Sequence, residues 1–291
     1  MGDGGDRLYL GVDAGATRCR ARLRAGDGAA LSEAEGPAAN PYVNFERAVS
    51  VARGVVEVTL ARAGLALSDT SRIKLGLGVA GIGSAEEAAR FAAAFADFAE
   101  ARVVNDAVAA CVGAHGGADG GLIIVGTGSA GCARVGTNET IIGGRGFHLG
   151  DDGSAARLGY EAARAAMRAV DGLGPETELT KQIRAHFADP LAMLHWAVTA
   201  TPRDYGEFAP LTLQAAQAGD PLARGLVDGA AAAVAALVLR VEALGAPRVA
   251  MVGGLGEALR PYLDPEVAAR ILTPLFDPTD GAIALVGGTL P

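Results

Sequence analysis

The sequence has few cysteines and few aromatic residues. Three of its 291 residues are cysteines (Cys19, Cys111 and Cys132), and no two of them form a CxxC pair. Thiols this few and this scattered do not build a disulfide framework, so we expect them to be reduced and buried as small apolar side chains. Aromatic residues make up 5% of the chain, although half of it is apolar. The core is therefore expected to pack helices and sheet through small side chains.

Basic charge is also scarce, because 25 Lys and Arg stand against 33 Asp and Glu, a net charge of −8. Nucleic acids and anionic membranes attract basic surfaces, so we expect neither as a main partner. The longest apolar run, residues 230–239, is shorter than the roughly 20 residues that span a bilayer. The first residues, MGDGGDR, lack the apolar region of a signal peptide. We therefore expect a cytoplasmic protein.

Signatures of several catalytic classes are missing. The four histidines, His115, His148, His186 and His195, show no metal-ligand spacing. No HExxH, GxSxG or GxxxxGK[ST] motif occurs. The zinc hydrolase, serine hydrolase and P-loop classes therefore lose their main support.

One turn type occurs twice. The apolar strand 8–12 runs into DAGAT at residues 13–17, and the apolar strand 122–125 runs into GTGS at residues 126–129. Turns of small residues let backbone N–H groups approach an anion, and hydroxyls add donors. Either turn alone could be an ordinary β-turn, but two in matching contexts favour a pair of loops that hold one polyphosphate. The residues assigned to these two loops are Gly15, Thr17, Thr127, Gly128 and Ser129, with Asp13 at the start of the first loop as the candidate for Mg²⁺.

The arrangement of strand and helix patterns indicates an α/β protein. In the first half, strands are predicted at about 8–12, 18–24, 29–35, 73–79 and 102–105, and helices at about 46–63, 84–98 and 106–114. In the second half, a hairpin at 121–142, helices from about 154 to 244, a strand at 249–252 and a last helix at about 280–288 are predicted. The Gly-rich segment 115–121 is the best candidate boundary. We predict domains at 1–117 and 118–291, the second with a helical insertion and a last helix that packs back on the first.

Further polar or glycine-rich positions have both a functional and a structural interpretation. Asp13, at a strand end, could hold Mg²⁺ through water, because Mg²⁺ prefers carboxylate and water oxygens. Asn105 and Asp106 could be helix caps, or Asp106 could be the base of a kinase. Asp151 could cap a helix or bind sugar hydroxyls. The Gly253-Gly254 pair could border a bound nucleoside, or it could permit a close contact between a helix and a strand.

In their order along the chain, these motifs resemble the BadF/BadG-type branch of the actin/hexokinase/Hsp70 ATPase superfamily, which includes N-acetylglucosamine kinases. The motifs are Asp13-x-Gly15-x-Thr17, Asn105-Asp106-Ala107, Gly126-Thr127-Gly128-Ser129, Asp151-x-Gly153-Ser154 and Gly253-Gly254. The chain is also similar to the bacterial glucosamine kinases of this family outside the phosphate loops. Pro202-Arg203-Asp204-Tyr205-Gly206 favours that group, since generic nucleotide binding does not explain it.

The resemblance implies two ribonuclease-H-like, actin/hexokinase-type domains with a central cleft that takes ATP and Mg²⁺. It implies an amino-sugar kinase that transfers the γ-phosphoryl of ATP to O6 of glucosamine, giving glucosamine 6-phosphate and ADP. It also implies a homodimer.

The resemblance further implies residue roles. Asp106 would take the proton from the sugar 6-hydroxyl, and Asn40, Asn105 and Asp151 would contact sugar hydroxyls or the C2 amine. The glycine pair 253–254 would border the adenosine pocket, and Asp13 would hold Mg²⁺.

Three alternatives remain at this stage. N-acetylglucosamine is the second candidate substrate. A BadF-type ATPase that activates a redox partner needs cysteines in loops that hold an iron–sulfur cluster, and the three cysteines fall within predicted strands and a helix. A sugar sensor on this scaffold would carry a DNA-binding helix-turn-helix, for which we expect no room before Tyr9.

Overall fold

The computed structural model describes residues 7–291 and divides the chain into two compact units. The first unit consists of the chain up to Leu122, Cys132–Thr140 and Thr273–Pro291. The second consists of Ile123–Gly131 and Ile141–Leu272. The division predicted from the sequence, 1–117 and 118–291, stays a prediction.

Strands and helices alternate in the first part of the chain. They are β1 (Leu8–Ala14), β2 (Arg18–Ala25), β3 (Ala30–Pro37), α1 (Phe45–Arg62), β4 (Ile73–Val79), α2 (Ala85–Ala93), β5 (Glu100–Asn105) and α3 (Asp106–Ala114), with a 3₁₀ turn at Leu67–Arg72. Three strands follow: β6 (Gly120–Val125), β7 (Ser129–Val135) and β8 (Asn138–Gly143).

Helices then dominate. They are α4 (Ala155–Val170), α5 (Glu178–Arg184), α6 (Pro190–Thr199), α7 (Pro202–Gly206), α8 (Ala209–Gln217) and α9 (Pro221–Ala243). The chain ends with β9 (Val249–Val252), α10 (Gly254–Leu259), a 3₁₀ turn at Arg260–Tyr262, α11 (Pro265–Ala268), β10 (Ile271–Leu272) and α12 (Pro278–Leu285).

The first sheet has the strand order β3-β2-β1-β4-β5. The β1–β2 and β2–β3 pairs are antiparallel, whereas β1–β4 and β4–β5 are parallel. Helix α1 packs on β1, β2 and β3, and α12 packs on β1 and β4. Strand β1 is almost fully buried, as expected for a strand with helices on both faces.

Helix α12 lies directly on the first sheet, and glycine makes this approach possible. A Cβ atom on Gly11 would lie 2.1 Å from the Thr279 carbonyl oxygen, and one on Gly76 would lie 1.8 Å from that of Ala282. The same helix packs on α3, where a Cβ on Gly281 would lie 1.9 Å from the Ala109 carbonyl oxygen. Contacts this close leave no room for any side chain, so α12 supports α3 by backbone contact.

The second sheet has the order β10-β9-β6-β7-β8. Read from the β8 edge, its strands follow in the order third, second, first, fourth and fifth along the chain, as in the first sheet. In each sheet the first two strands are joined by one of the two turns that the sequence singles out. The two turns therefore occupy corresponding places in two sheets that have the same strand order.

Helix α9 is the longest helix of residues 7–291, and in that range it alone is long and apolar enough to cross a membrane by length and composition. Its buried side chains, which include Val227, Val234 and Val241, belong to a helix that packs on α4 and α8. A core helix of a globular protein passes the same test, so one such helix is weak evidence for a membrane segment.

The three cysteines are free and buried, as the sequence predicts. Burial raises the pKa of the Cys19 thiol to about 12, and the nearby Asp13 charge adds to this effect. Cys19 is therefore an uncharged apolar side chain in the folded protein.

Candidate active site

Asp13 lies next to the end of β1 and forms an ion pair within the sheet. The antiparallel register places it opposite Arg20 of β2, and Arg20 Nη2 lies 3.2 Å from Asp13 Oδ2. The two side chains are 16% and 17% exposed. Burial raises the pKa of the Asp13 carboxyl, and the hydrogen bond and charge of Arg20 offset only part of this rise.

The turn after β1 exposes a hydroxyl. The Gly15 N–H donates to the Arg18 carbonyl oxygen at 3.0 Å, which closes the turn. A Cβ on Gly15 would lie 3.0 Å from that same oxygen, so glycine fits here best. Thr17 is exposed, and its hydroxyl has no hydrogen bond within residues 7–291. This hydroxyl is free to donate to an anion.

Asp106 begins α3, directly after β5. The helix cap is Asn105, whose Oδ1 accepts from the Ala107 N–H at 2.9 Å and whose Nδ2 donates to the Ile82 carbonyl at 2.8 Å. Asp106 Oδ1 accepts from the same N–H at 2.9 Å. Asn105 is therefore the helix cap, which is the structural interpretation of this pair, and Asp106 Oδ1 shares the Ala107 N–H with it.

Burial raises the pKa of the Asp106 carboxyl, and the charge of Asp13 raises it further. Gly78 of β4 pairs with Asp13 in register, and a Cβ on it would lie 3.4 Å from the Asp106 Cα atom. Strands β1, β4 and β5 are parallel and end at one edge, where open α/β sheets bind ligands. The sheet thus brings the carboxylates of Asp13 and Asp106 to the same edge.

Asn40 lies beside the loop that follows β4. Its Oδ1 accepts from the Tyr42 N–H at 2.9 Å, and a Cβ on Gly81 would lie 2.7 Å from the same oxygen. Gly81 has a φ of +81°, a conformation that favours glycine. Asn105 contacts the same loop through Ile82, so the first unit holds Asn40 and Asn105 around one loop, and Asp106 follows Asn105 in the chain.

In the second unit, the turn after β6 rests on the start of α4. The N–H groups of Ala155 and Ala156 donate to the carbonyls of Gly126 and Thr127 at 2.9 and 3.2 Å. Thr127 is exposed, whereas Ser129 is buried and its hydroxyl donates to the Asp152 carbonyl at 2.7 Å. The Thr127 hydroxyl is therefore more accessible to a ligand than that of Ser129.

Asp151 lies against this turn. Its Oδ1 accepts from the Ser129 N–H at 3.4 Å, and a Cβ on Gly128 would lie 3.1 Å from its Oδ2. Within residues 7–291 it alone has a positive φ, +60°, without being glycine, a conformation that costs free energy for an L-residue. Burial raises the pKa of its carboxyl, while the Ser129 N–H and the Arg157 charge lower it.

The two glycines after β9 differ in their surroundings. Gly253 has a φ of +104°, and a Cβ on it would lie 2.1 Å from the Val125 carbonyl oxygen. A Cβ on Gly254 would meet nothing within 4 Å. Gly253 therefore permits a close backbone contact with the end of β6, which fits the structural interpretation of this glycine rather than contact with a nucleoside. Gly254 borders open space.

The donor set determines which metal the site suits. Within residues 7–291, no three His, Cys, Asp or Glu side chains form a metal-binding group. A hydrated Mg²⁺ needs only one or two carboxylates beside its waters and phosphate oxygens. Asp13, with Asp106 close by, fits such an ion, whereas a metal that requires an all-protein ligand set does not fit.

Sequence reasoning missed Arg20 and its second partner, Asp277, whose carboxylate lies 3.7 Å away. A signal was present, because Arg18, Arg20, Arg22 and Arg24 alternate along β2 and so share one face of the sheet. Four cations on one face of a largely buried strand require carboxylates opposite them.

The chain is similar to a known family of ATPases along nearly its whole length. The sequence profile of the BadF/BadG/BcrA/BcrD ATPase family matches residues 10–286. A relative from Vibrio cholerae, named glucosamine kinase GspK, is 34% identical over 280 residues, which cover 96% of this chain and 95% of that protein.

Solved structures show the same similarity. A crystal structure from Chromobacterium violaceum, provisionally named an N-acetylglucosamine kinase, has a TM-score of 0.86 and 34% identity over 96% of this chain and 99% of that one. A ROK hexokinase from Thermus thermophilus has a TM-score of 0.55 at 19% identity, over 96% and 97% of the two chains. The latter likeness concerns the fold alone. The predicted α/β class of actin/hexokinase type is confirmed.

Proposed function

The chain belongs to the BadF/BadG/BcrA/BcrD ATPase family, and we propose that it is a glucosamine kinase. It transfers the γ-phosphoryl of ATP to O6 of glucosamine, giving glucosamine 6-phosphate and ADP. The observation that carries this proposal is that Asp106 and Asp13 lie near each other at one sheet edge, in a chain similar over nearly its whole length to a glucosamine kinase.

Asp106 acts as the general base. Its carboxylate accepts the proton of the sugar 6-hydroxyl as that oxygen attacks the γ-phosphorus, and Asn40 and Asn105 orient the sugar beside it. Phosphoryl transfer requires little covalent chemistry from the protein, so positioning and charge neutralisation account for most of the rate.

The two turns bind the phosphates of ATP. Their backbone N–H groups and the exposed hydroxyls of Thr17 and Thr127 supply the donors, with Gly15, Gly128 and Ser129 shaping the turns. Asp13 holds the hydrated Mg²⁺, which neutralises phosphate charge when it is bound. Asp151 contacts the sugar, and Gly253 and Gly254 border the adenosine.

We further propose a cytoplasmic homodimer whose ligands are small molecules. The net charge of −8 supports small-molecule ligands, because it disfavours nucleic acid and anionic membrane as partners. The homodimer rests on the resemblance to the family. Size-exclusion chromatography with light scattering measures the assembly directly, and a mass of one chain would contradict the dimer.

ADP release from Mg·ATP tests the proposed function. With glucosamine, release is expected to exceed by far that with N-acetylglucosamine, glucose or no sugar. Preference for N-acetylglucosamine would keep the kinase and change its substrate. Equal release without sugar would indicate an ATPase that drives a partner, and the sugar roles of Asp106 and Asp151 would be withdrawn.

The pH dependence of turnover tests the base. Burial and the charge of Asp13 raise the pKa of Asp106 above its ordinary 3.8, and a base acts only when it is ionised. Activity is therefore present above the raised pKa and lost as the pH falls through it. We expect kcat/KM for glucosamine, measured from about pH 4 to 7, to fall with an apparent pKa above 3.8. A profile that stays flat over this range would contradict the base.

A further inference from the structure

The segment Pro202-Arg203-Asp204-Tyr205-Gly206 has no role in the chemistry proposed so far. It forms α7, a single helical turn. Thr201 caps this turn, and its N–H and hydroxyl donate to Asp204 Oδ2 at 2.6 and 2.7 Å. Pro202 occupies the first helical position, where it is favoured. The local structure thus accounts for Pro202 and Asp204 and leaves Tyr205 unexplained.

Tyr205 is 7% exposed and lies at the centre of an aromatic cluster. Its ring stacks on Phe147 with centroids 5.5 Å apart and an interplanar angle of 17°. It meets the ring edges of Tyr160 at 5.3 Å and Trp196 at 4.9 Å. A Cβ on Gly159 would lie 1.8 Å from the Tyr205 carbonyl oxygen, so α7 is seated directly on α4. Tyr205 is therefore held in place from several sides.

Phe147 anchors the loop that carries Asp151. Of residues 144–149, Phe147 alone is not exposed, and Leu149 is 87% exposed. Arg157 Nη2 donates to the carbonyls of Phe147 and Gly150 at 2.8 and 3.1 Å, and its guanidinium lies over the Phe147 ring. The loop between β8 and α4 is thus held at Phe147 and Gly150 by one aromatic side chain and one arginine, and at Asp152 by the Ser129 hydroxyl.

Asp151 needs such support because its backbone is strained. Its φ is +60°, a backbone conformation that is unfavourable for a residue with a side chain. The Ser129 N–H contact with its carboxylate, at 3.4 Å, is long for a hydrogen bond. The Ser129 hydroxyl holds the loop on the far side of Asp151, at Asp152. On the near side, the orientation of the carboxylate depends on the loop being held at Phe147 and Gly150.

We propose that Tyr205 is a positioning residue for the sugar, a role that rests on the sugar contact proposed for Asp151. By stacking on Phe147, the Tyr205 ring fixes the loop of residues 143–153 and aims the Asp151 carboxylate. The ring suffices, since the Tyr205 hydroxyl makes no hydrogen bond within residues 7–291. The Tyr205 segment thereby acts on substrate binding without touching substrate.

Three variants test this proposal: Tyr205→Leu, Tyr205→Phe and Phe187→Leu. Phe187 belongs to the same cluster through Trp196 and Phe208, at 5.3 and 6.2 Å, but makes no ring contact with Phe147. In Tyr205→Leu, the KM and Kd for glucosamine are expected to rise about tenfold, which corresponds to the free energy of one lost aromatic pair. The KM for ATP is expected to stay unchanged. Tyr205→Phe is expected to match the unmodified protein, and Phe187→Leu to lower thermal stability without changing the sugar KM.

Backbone hydrogen exchange in residues 143–153 provides a measurement that does not depend on activity. Exchange there is expected to accelerate in Tyr205→Leu and to stay unchanged in Phe187→Leu. Unchanged exchange in Tyr205→Leu would overturn the proposal, as would an equal rise of both KM values or the same sugar KM change in Phe187→Leu. If the unmodified protein phosphorylates no sugar, the proposed function fails, and the exchange result still decides whether Tyr205 holds the loop.

Discussion

Asp106→Asn is expected to lower kcat by about 10²- to 10⁴-fold, the usual contribution of a general base. Asn keeps the size of the side chain and an oxygen that can accept from the Ala107 N–H, as Asp106 Oδ1 does at 2.9 Å. Binding of glucosamine and ATP is therefore expected to stay within a few-fold. Steady-state kinetics with both substrates and calorimetric titration of glucosamine separate turnover from binding.

The thermal midpoint shows whether Asp106→Asn leaves the fold intact. Because burial raises the pKa of Asp106 above its ordinary value, the ionised carboxylate destabilises the fold at neutral pH. Asn removes that penalty, so the variant is expected to unfold at the same temperature as the unmodified protein or a higher one. This difference should shrink as the pH falls through the raised pKa, since Asp106 then becomes neutral.

Asp228→Asn is the matched control for Asp106→Asn. Asp228 lies on the surface of α9, and its pair with Arg224 has side chains that are 49% and 58% exposed. The same chemical change there is expected to leave kcat unchanged. Full turnover in purified Asp106→Asn would contradict the assignment of the base.

The strand ends of the candidate site could be predicted from the sequence. Asp13 and Asp106 follow apolar segments, and the parallel strands β1, β4 and β5 bring their carboxyl ends to one edge. Local patterns suffice here, because a buried strand and the turn after it are adjacent in the chain. The alternating arginines of β2 can also be read from the sequence. Their partner Asp277 lies more than 250 residues further along the chain, so no local pattern predicts the contact.

The end of α2 shows where tertiary contacts override local pattern. The sequence predicts a helix over 84–98, whereas α2 ends at Ala93. Arg53 of α1 donates from Nε to the Ala94 carbonyl at 2.9 Å, and tighter turns follow, in which the Phe95 N–H donates to the Ala92 carbonyl. Phe95 is thereby buried. An arginine of another helix satisfies the carbonyl of the residue that follows α2, and no helix propensity encodes that contact.

Two elements of the second sheet region escaped prediction for other reasons. Strand β10 has two residues, Ile271 and Leu272, and is recognisable only by its parallel pairing with β9. Helix α10 begins in a glycine-rich stretch, which reads as a turn. Both elements form through contacts with other strands of the second sheet, β10 with β9 and the start of α10 with β6.

Asp280→Asn is expected to lower the free energy of unfolding by about 3–5 kcal/mol, the cost of leaving a buried charge without its partner. Asp280 accepts from Arg24 Nε at 2.8 Å and Nη2 at 3.1 Å, and its Oδ2 lies 2.8 Å from Arg22 Nη1. The Asp280 and Arg24 side chains are 6% and 9% exposed. Asn has nearly the same shape, so the loss reports charge rather than a cavity.

Denaturant unfolding of three variants and the unmodified protein isolates the cost of the unpaired buried charge. Asp228→Asn, which breaks an exposed pair, is expected to cost no more than about 1 kcal/mol. The double variant Arg24→Met/Asp280→Leu is expected to lose less stability than Asp280→Asn, because it removes the Arg24 charge while Arg22 keeps Asp277 and Glu33 as partners. Since α12 carries Asp280 and packs on α3, Asp280→Asn should also lower turnover at temperatures near its unfolding midpoint. A loss below 1 kcal/mol in Asp280→Asn would mean that Arg24, through its bond to the Gly28 carbonyl at 2.8 Å, is satisfied without this carboxylate.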